Sequence, residues 1–128
     1  MIRTFLLLFI ASLLWTCKSN GSLPTDQDFQ LLELNNKPVP TSVKASLTFK
    51  TANKNFSGSN GCNNYFGTYE TDGAMLKFGP AGATKKYCAD RTAFEQEFMQ
   101  MLTAVDNYRY SGGLLQLQAG QQVLAVFK

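Results

Sequence analysis

The chain has 128 residues, 45% of them hydrophobic, with 12 Lys and Arg against 9 Asp and Glu and a net charge of +3. That is enough apolar material for one small core and too little charge for a disordered chain. No block of like charge runs longer than Lys85-Lys86, so the electrostatic footprint of a nucleic-acid binder is missing and no nucleic-acid partner is expected. Histidine is absent, which excludes Ser-His, Cys-His and His-metal sites; no metal and no other cofactor is expected.

Residues 1–16 carry one positive charge, Arg3, followed by an apolar run up to Cys17, and read as a secretory signal. The uncharged stretch from Thr4 to Cys17 reaches about 21 Å as a helix against a hydrocarbon core of roughly 30 Å, too short for a comfortable span. Leu14-Trp15-Thr16-Cys17 resembles the lipobox of bacterial lipoproteins. The resemblance implies cleavage before Cys17, lipidation of its thiol and attachment to the membrane through that lipid. Leu14 fits the pattern, whereas Trp15 is bulky and Thr16 stands where Gly, Ala or Ser is usual. Ordinary signal cleavage and an uncleaved anchor are the alternatives. Residues 17–27 then form the lipidated cysteine and a flexible, turn-rich tether, with ten extended residues reaching about 35 Å at most. Lys18, in place of the aspartate that marks inner-membrane retention, implies the outer membrane, on its periplasmic or surface face. Setting Cys17 aside leaves Cys62 and Cys88, an even number suited to a disulfide in an oxidising compartment. Two buried free thiols are the alternative; a catalytic Cys62 has no histidine to activate it.

Residues 28–128 form the domain. Asp28 to Leu34 reads as a strand with Phe29, Leu31 and Glu33 on one face, ending in the turn Asn35-Asn36-Lys37-Pro38. From Val43 the inward set is Val43, Ala45, Leu47 and Phe49, with Lys44, Ser46, Thr48 and Lys50 facing out. A weaker strand surrounds Phe56, and the small and turn-forming residues after it break the sheet. Tyr65–Tyr69 and Ala74–Phe78 are expected to pair as a hairpin across Glu70-Thr71-Asp72-Gly73. Gly79–Gly82 interrupts, and Ala83–Cys88 forms a further strand that delivers Cys88 to Cys62. Thr92-Ala93-Phe94-Glu95 has the form of a capping box. Phe94, Phe98, Met101, Leu102 and Val105 follow as one apolar stripe on a helix near residues 92–105. Strands at 107–110, 114–118 and 122–127 complete the chain, the last apolar enough to be buried on both sides. About eight short strands and one late helix give a mainly β fold: a small antiparallel barrel or strongly curled sheet with the helix on one end or face.

The segment Gly58-Ser59-Asn60-Gly61-Cys62-Asn63-Asn64-Tyr65-Phe66-Gly67-Thr68-Tyr69 resembles the Gly-x-x-Gly-Cys-Asn signature of the META domain family, which includes the HslJ-like envelope proteins. Gly58, Gly61, Cys62, Asn63, Phe66, Gly67 and Tyr69 carry the match. Leu34–Val39, Leu47-Thr48-Phe49, Leu76–Pro80, Thr84–Cys88 and Glu95–Leu102 support it in order and spacing. Phe29 departs from a common tryptophan, Asn36 from a glycine, Asn64 from a basic residue and Ala89 from a proline. The resemblance implies a barrel-like domain with one helix, often carried on lipoproteins, associated with heat and antibiotic stress and without an established enzymatic activity.

The expected function is therefore a non-catalytic, stress-related envelope lipoprotein that binds a protein partner or a small apolar ligand. A protease inhibitor or chaperone-like partner, docking through a loop such as Asn60–Asn64 or Gly79–Ala83, is the alternative. A hydrolase using Cys62, or a serine activated by Lys85 or Lys86, is disfavoured because two adjacent lysines in a polar stretch stay solvated.

Overall fold

The computed structural model describes residues 20–128; the expected signal segment, the lipobox-like stretch and Cys17 lie outside the described residues. The strands are β1 (Asp28–Leu34), β2 (Lys37–Pro38), β3 (Ser46–Lys50), β4 (Asn55–Ser59), β5 (Asn64–Asp72), β6 (Met75–Phe78), β7 (Gly82–Ala83), β8 (Asn107–Ser111), β9 (Leu114–Ala119) and β10 (Gln122–Phe127), with one helix, α1 (Thr92–Ala104). Eight of them pair antiparallel in the order β1-β3-β4-β5-β6-β8-β9-β10, and β10 returns to β1 to close the barrel. The two short strands lie off the ring, β2 on β1 and β7 on β5.

Strict antiparallel alternation gives the barrel two ends. The turns at 51–54, 73–74 and 112–113 fall at one end. The bend at 60–63, the turn at 35–36, the turn at 120–121 and the helix connections fall at the other. β5, with nine residues, separates its two termini by about 26 Å. Inward side chains fill the interior: Phe29, Leu47, Phe49, Phe56, Leu76, Leu115, Leu117 and Phe127 are buried, and Phe98, Met101 and Leu102 of α1 join the same core. Phe98 lies 5.1 Å from the ring of Tyr65, and Phe56 meets Phe78 edge-on at 4.8 Å.

The expected barrel with one helix is what forms, and most differences from the sequence pattern have local causes. In β1 a bulge between Leu31 and Glu33 shifts the alternation, so Leu34 is buried and Glu33 is exposed. Val43 and Ala45 point inward as expected, yet regular pairing begins only at Ser46, with Ala45 bridging Asn60. Thr48, placed outward by the alternation, is buried and hydrogen-bonds the Asp28 carboxylate. β5 runs through Glu70 to Asp72, and the turn shrinks to Gly73-Ala74, with Gly73 at φ 57°. The strand expected over Ala83–Cys88 is only Gly82–Ala83. No side chain caps α1, whose N-cap is Arg91, so Thr92 and Glu95 do not make the expected capping box. A bulge in β10 turns both Leu124 and Ala125 inward and leaves Val123 and Val126 half-buried, so this strand is not dry on both faces.

The segment expected as a flexible tether is docked as far as it is described. Past Met75, which pairs with Asn107, β8 extends beyond the start of β6, and Asn20-Gly21 takes the place of the missing neighbour. The Gly21 amide donates to the Tyr110 carbonyl at 2.9 Å, the Asn20 side chain accepts from the Tyr110 amide at 2.7 Å, and the same side chain donates to the Tyr108 carbonyl at 3.3 Å. Further on, the Asp26 amide donates to the Phe49 carbonyl at 2.7 Å.

Candidate functional site

Gly58, Gly61, Cys62 and Asn63 of the signature gather at the helix end of the barrel, where β4 leaves the wall and β5 re-enters it. Gly58 sits where a Cβ would lie 2.0 Å from the Ser46 carbonyl oxygen and 2.8 Å from the Tyr65 hydroxyl; only a residue without a side chain lets that hydroxyl donate to that carbonyl. Burial pushes the Tyr65 hydroxyl pKa far up, so it stays a neutral donor. Gly61 turns the bend at φ 92°.

Between them the Asn60 side chain, fully buried, folds the bend around itself. Its oxygen accepts from the Cys62 amide at 3.2 Å and the Asn63 amide at 2.7 Å, and its backbone amide donates to the Asn63 carbonyl at 2.9 Å. The side-chain nitrogen of Asn60, Nδ2, is buried without a hydrogen-bond partner.

Asn63 then does what a strand would otherwise do for residues 84–86. It is 3% exposed. Its oxygen accepts from the Lys86 amide at 2.7 Å and the Thr84 hydroxyl at 2.9 Å; its nitrogen donates to the Lys86 carbonyl at 2.9 Å and the Glu95 carboxylate at 3.0 Å. One side chain thus satisfies both backbone groups of Lys86 and ties the segment to the first turn of α1. Glu95, read from sequence as a cap, is the carboxylate at the end of this bracket. Two residues on, Cys88 forms a disulfide with Cys62, with Cα atoms 6.0 Å apart. Bracket and disulfide together hold a segment that lacks regular structure. It presents Tyr87, 80% exposed, next to the exposed Lys85 and Lys86, and all three line an open groove of about 500 Å³ that also touches Gln96 and Met99.

The remaining signature residues are split between surface and wall. Phe66 is 56% exposed on the outside of β5, opposite Gly82 of β7. Gly67 leaves room for the Phe56 ring, which a Cβ would meet at 2.6 Å. Tyr69 lies toward the opposite end, buried beside Phe49 at 4.9 Å, with its pKa raised by desolvation and by the charge of Asp26. The signature is therefore not one constellation: Gly58, Gly61, Cys62 and Asn63 converge, and Phe66, Gly67 and Tyr69 follow along the strand.

Sequence reasoning missed Asn63 as the anchor of the 84–86 segment and missed the exposure of Tyr87; the only signal was the run of asparagines in a bend. The Cys62 sulfur is bonded, and the Lys85 and Lys86 side chains are exposed. Among the described residues no group of three or more Cys, Asp or Glu is placed to hold a metal, and no helix is long and apolar enough to cross a membrane.

The model of the META domain matches residues 22–128. Solved structures of the same shape include a protein from Burkholderia xenovorans studied by NMR, 25% identical over 81% of each chain with a TM-score of 0.67. A second NMR structure is 22% identical, covering 79% of this chain and 86% of the other, with a TM-score of 0.62. A crystal structure of a DUF4847 family protein from Bacteroides vulgatus is 18% identical, covering 78% of this chain and 89% of the other, with a TM-score of 0.56. The last two show the fold alone. No functionally curated protein matches the chain.

Proposed function

The chain belongs to the META domain family, and from that premise we propose that it is a non-catalytic lipoprotein of the cell envelope, anchored at the outer membrane through Cys17, that binds a protein partner through the segment pinned at its disulfide end. Tyr87 carries the reading. An aromatic side chain left 80% exposed, on a segment fixed in advance by the Asn63 hydrogen bonds and a disulfide, is of the residue type enriched at interface centres. Fixing it beforehand spares a partner an ordering cost of about 0.5–1.5 kcal/mol per immobilised side chain. Lys85 and Lys86 beside it fit a partner that carries acidic side chains.

The barrel interior supports a partner met at the surface over a small apolar ligand held inside, because side chains already occupy it. A bonded Cys62 and solvated lysines support a role without covalent chemistry. The stress association implied by the family resemblance belongs to the same reading, with the partner as what stress would act upon.

A photo-crosslinking residue placed at the exposed Ala89 in full-length protein in cells is expected to capture one discrete protein, and Tyr87→Ala is expected to abolish that capture. The same probe at Asp72, at the other end of β5, serves as the reference. Equal capture from both positions, or capture at Ala89 that survives Tyr87→Ala, refutes the assignment.

A further inference from the structure

The docked start of the described chain bears on how the barrel meets a bilayer. We propose that the acylated protein stands on the membrane by the end that carries the turns 51–54, 73–74 and 112–113, and holds its helix and disulfide end outward; this rests on the lipid anchor of the preceding section. Cys17 and Asn20 are three residues apart, so the link between them spans about 11 Å at most. Asn20 and Gly21 are hydrogen-bonded to Tyr108 and Tyr110 of β8, on the stretch of that strand that runs past the start of β6 toward the turn at 112–113. A lipid on Cys17 therefore holds this end near the headgroups, where a freely swinging tether from 17 to 27 would have fixed no orientation. Asn63 and the disulfide lie at the opposite terminus of β5, about 26 Å away along the strand.

The end itself carries both signs of charge. Lys50, Lys54 and Arg109 are exposed there, and Leu114 at the hairpin tip is 37% exposed, side chains that meet phosphate groups and the acyl boundary. Asp26, Asp28 and Asp72 are exposed acids at the same end, Asp26 accepting from the Thr51 hydroxyl and Asp28 from the Thr48 hydroxyl, so the orientation rests on the tether and not on net charge. An open cleft of about 620 Å³ between Asn20, Thr51, Lys54, Gly73 and Tyr108 opens at the same end, with the Lys54 ammonium 5.8 Å from the centre of the Tyr69 ring.

The test uses full-length acylated protein in vesicles of phosphatidylcholine and phosphatidylglycerol, with and without a headgroup spin-labelled lipid that quenches fluorescence at short range. Fluorophores go on Asn53→Cys and Ala74→Cys in two different turns of the proposed contact end, and on Gln96→Cys on the exposed side of α1. Labels at 53 and 74 are expected to lose emission severalfold more than the label at 96. If one turn variant does not fold, the other carries the measurement. Equal or stronger quenching at 96, as for a barrel lying on its side or inverted, overturns the orientation. No quenching at 53 and 74 overturns it as well. Intact mass of the same vesicle-bound protein separates the two levels: an acylated mass with the wrong quenching pattern removes the orientation alone, and an unacylated mass removes both anchor and orientation.

Discussion

Asn63→Ala tests whether one side chain really substitutes for a strand. The change removes four hydrogen bonds within 3.0 Å: one from the Lys86 amide, one to the Lys86 carbonyl, one from the Thr84 hydroxyl and one to the Glu95 carboxylate. At about 0.5–1.5 kcal/mol net for each bond the loss spans about 2–6 kcal/mol. Thr84 and Lys86 are exposed, so water can reach the groups left behind, which places the expected loss in the lower part of that range, about 2–4 kcal/mol. For a domain of this size that is about 9–17 °C in Tm. Asn63→Asp separates bracket from charge. It keeps the acceptors for Lys86 and Thr84 but loses the donor and sets a carboxylate against Glu95, which raises the new acid's folded-state pKa above its unfolded value near 3.9. In that window the folded state binds more protons than the unfolded one, so the N63D deficit is greatest at neutral pH and shrinks as pH falls toward 4. Thermal melts of wild type, N63A and N63D between pH 4 and 7 read all three terms. An N63A melt within about 2 °C of wild type, roughly 0.5 kcal/mol, refutes the bracket.

Three further outcomes are expected. Replacing both Cys62 and Cys88 by Ser, which opens a loop with a sequence separation of 26, should cost about 3–4 kcal/mol in urea unfolding by the chain-entropy estimate; a loss under about 1 kcal/mol would mean that the bracket alone fixes the segment. Gly58→Ala should destabilise by about 3 kcal/mol or more because its Cβ meets the Ser46 carbonyl oxygen at 2.0 Å, whereas Gly73→Ala, at φ 57° with open space around it, should cost only about 1–2 kcal/mol; melts that reverse this order contradict the packing at the bend. The Asp106 carboxyl is held below its ordinary pKa of 3.8, first by the Asn107 side chain and then by the Gly120 amide. Its contribution is present above that value and lost as pH falls through the lowered folded pKa. The difference in Tm between wild type and Asp106→Asn should therefore close on acidification, and a pH-independent difference would discount the carboxylate.

The parts of the fold legible in the sequence are those where one physical rule acts alone. Leu115 and Leu117 against Gln116 and Gln118 have no competing demand, and β9 forms as read. The αL-tolerant pair Asn35-Asn36 turns at positive φ as its residue types require. Errors appear where two demands meet. Barrel closure requires β1 to pair with both β3 and β10, and the bulge that allows it moves Leu34 inside at the expense of Glu33. Thr92 and Glu95 satisfy the local pattern of a cap, but Glu95 is claimed by Asn63, a residue thirty-two positions away. Such a bracket leaves no periodic trace: an asparagine in a turn looks the same whether it serves its own loop or a distant one. The docking of Asn20 was hidden for a similar reason, because its partner is a gap beside β8 created by the offset between β6 and β8.

Closure also decides how a partner could bind at all. An open sheet offers its edge to an added strand, but here the ring is complete, and the strands outside it are β2 and β7, each of two residues. Pro38 within β2 and Pro40 beyond it supply no amide for a further ladder. β7 runs straight into residues 84–86, whose Lys86 amide and carbonyl are already taken by Asn63. Strand addition, which reads mainly backbone, therefore has little to act on. On the reading proposed above, recognition falls to side chains on fixed backbone, and at the helix end that means Tyr87 and the two lysines before it. The proposed interface depends on the same bracket that stabilises the end: releasing Asn63 should weaken partner capture at Ala89 even at temperatures where N63A remains folded, because Tyr87 would then have to be ordered on binding. Capture by folded N63A at wild-type strength would show that the partner does not need the segment held in place.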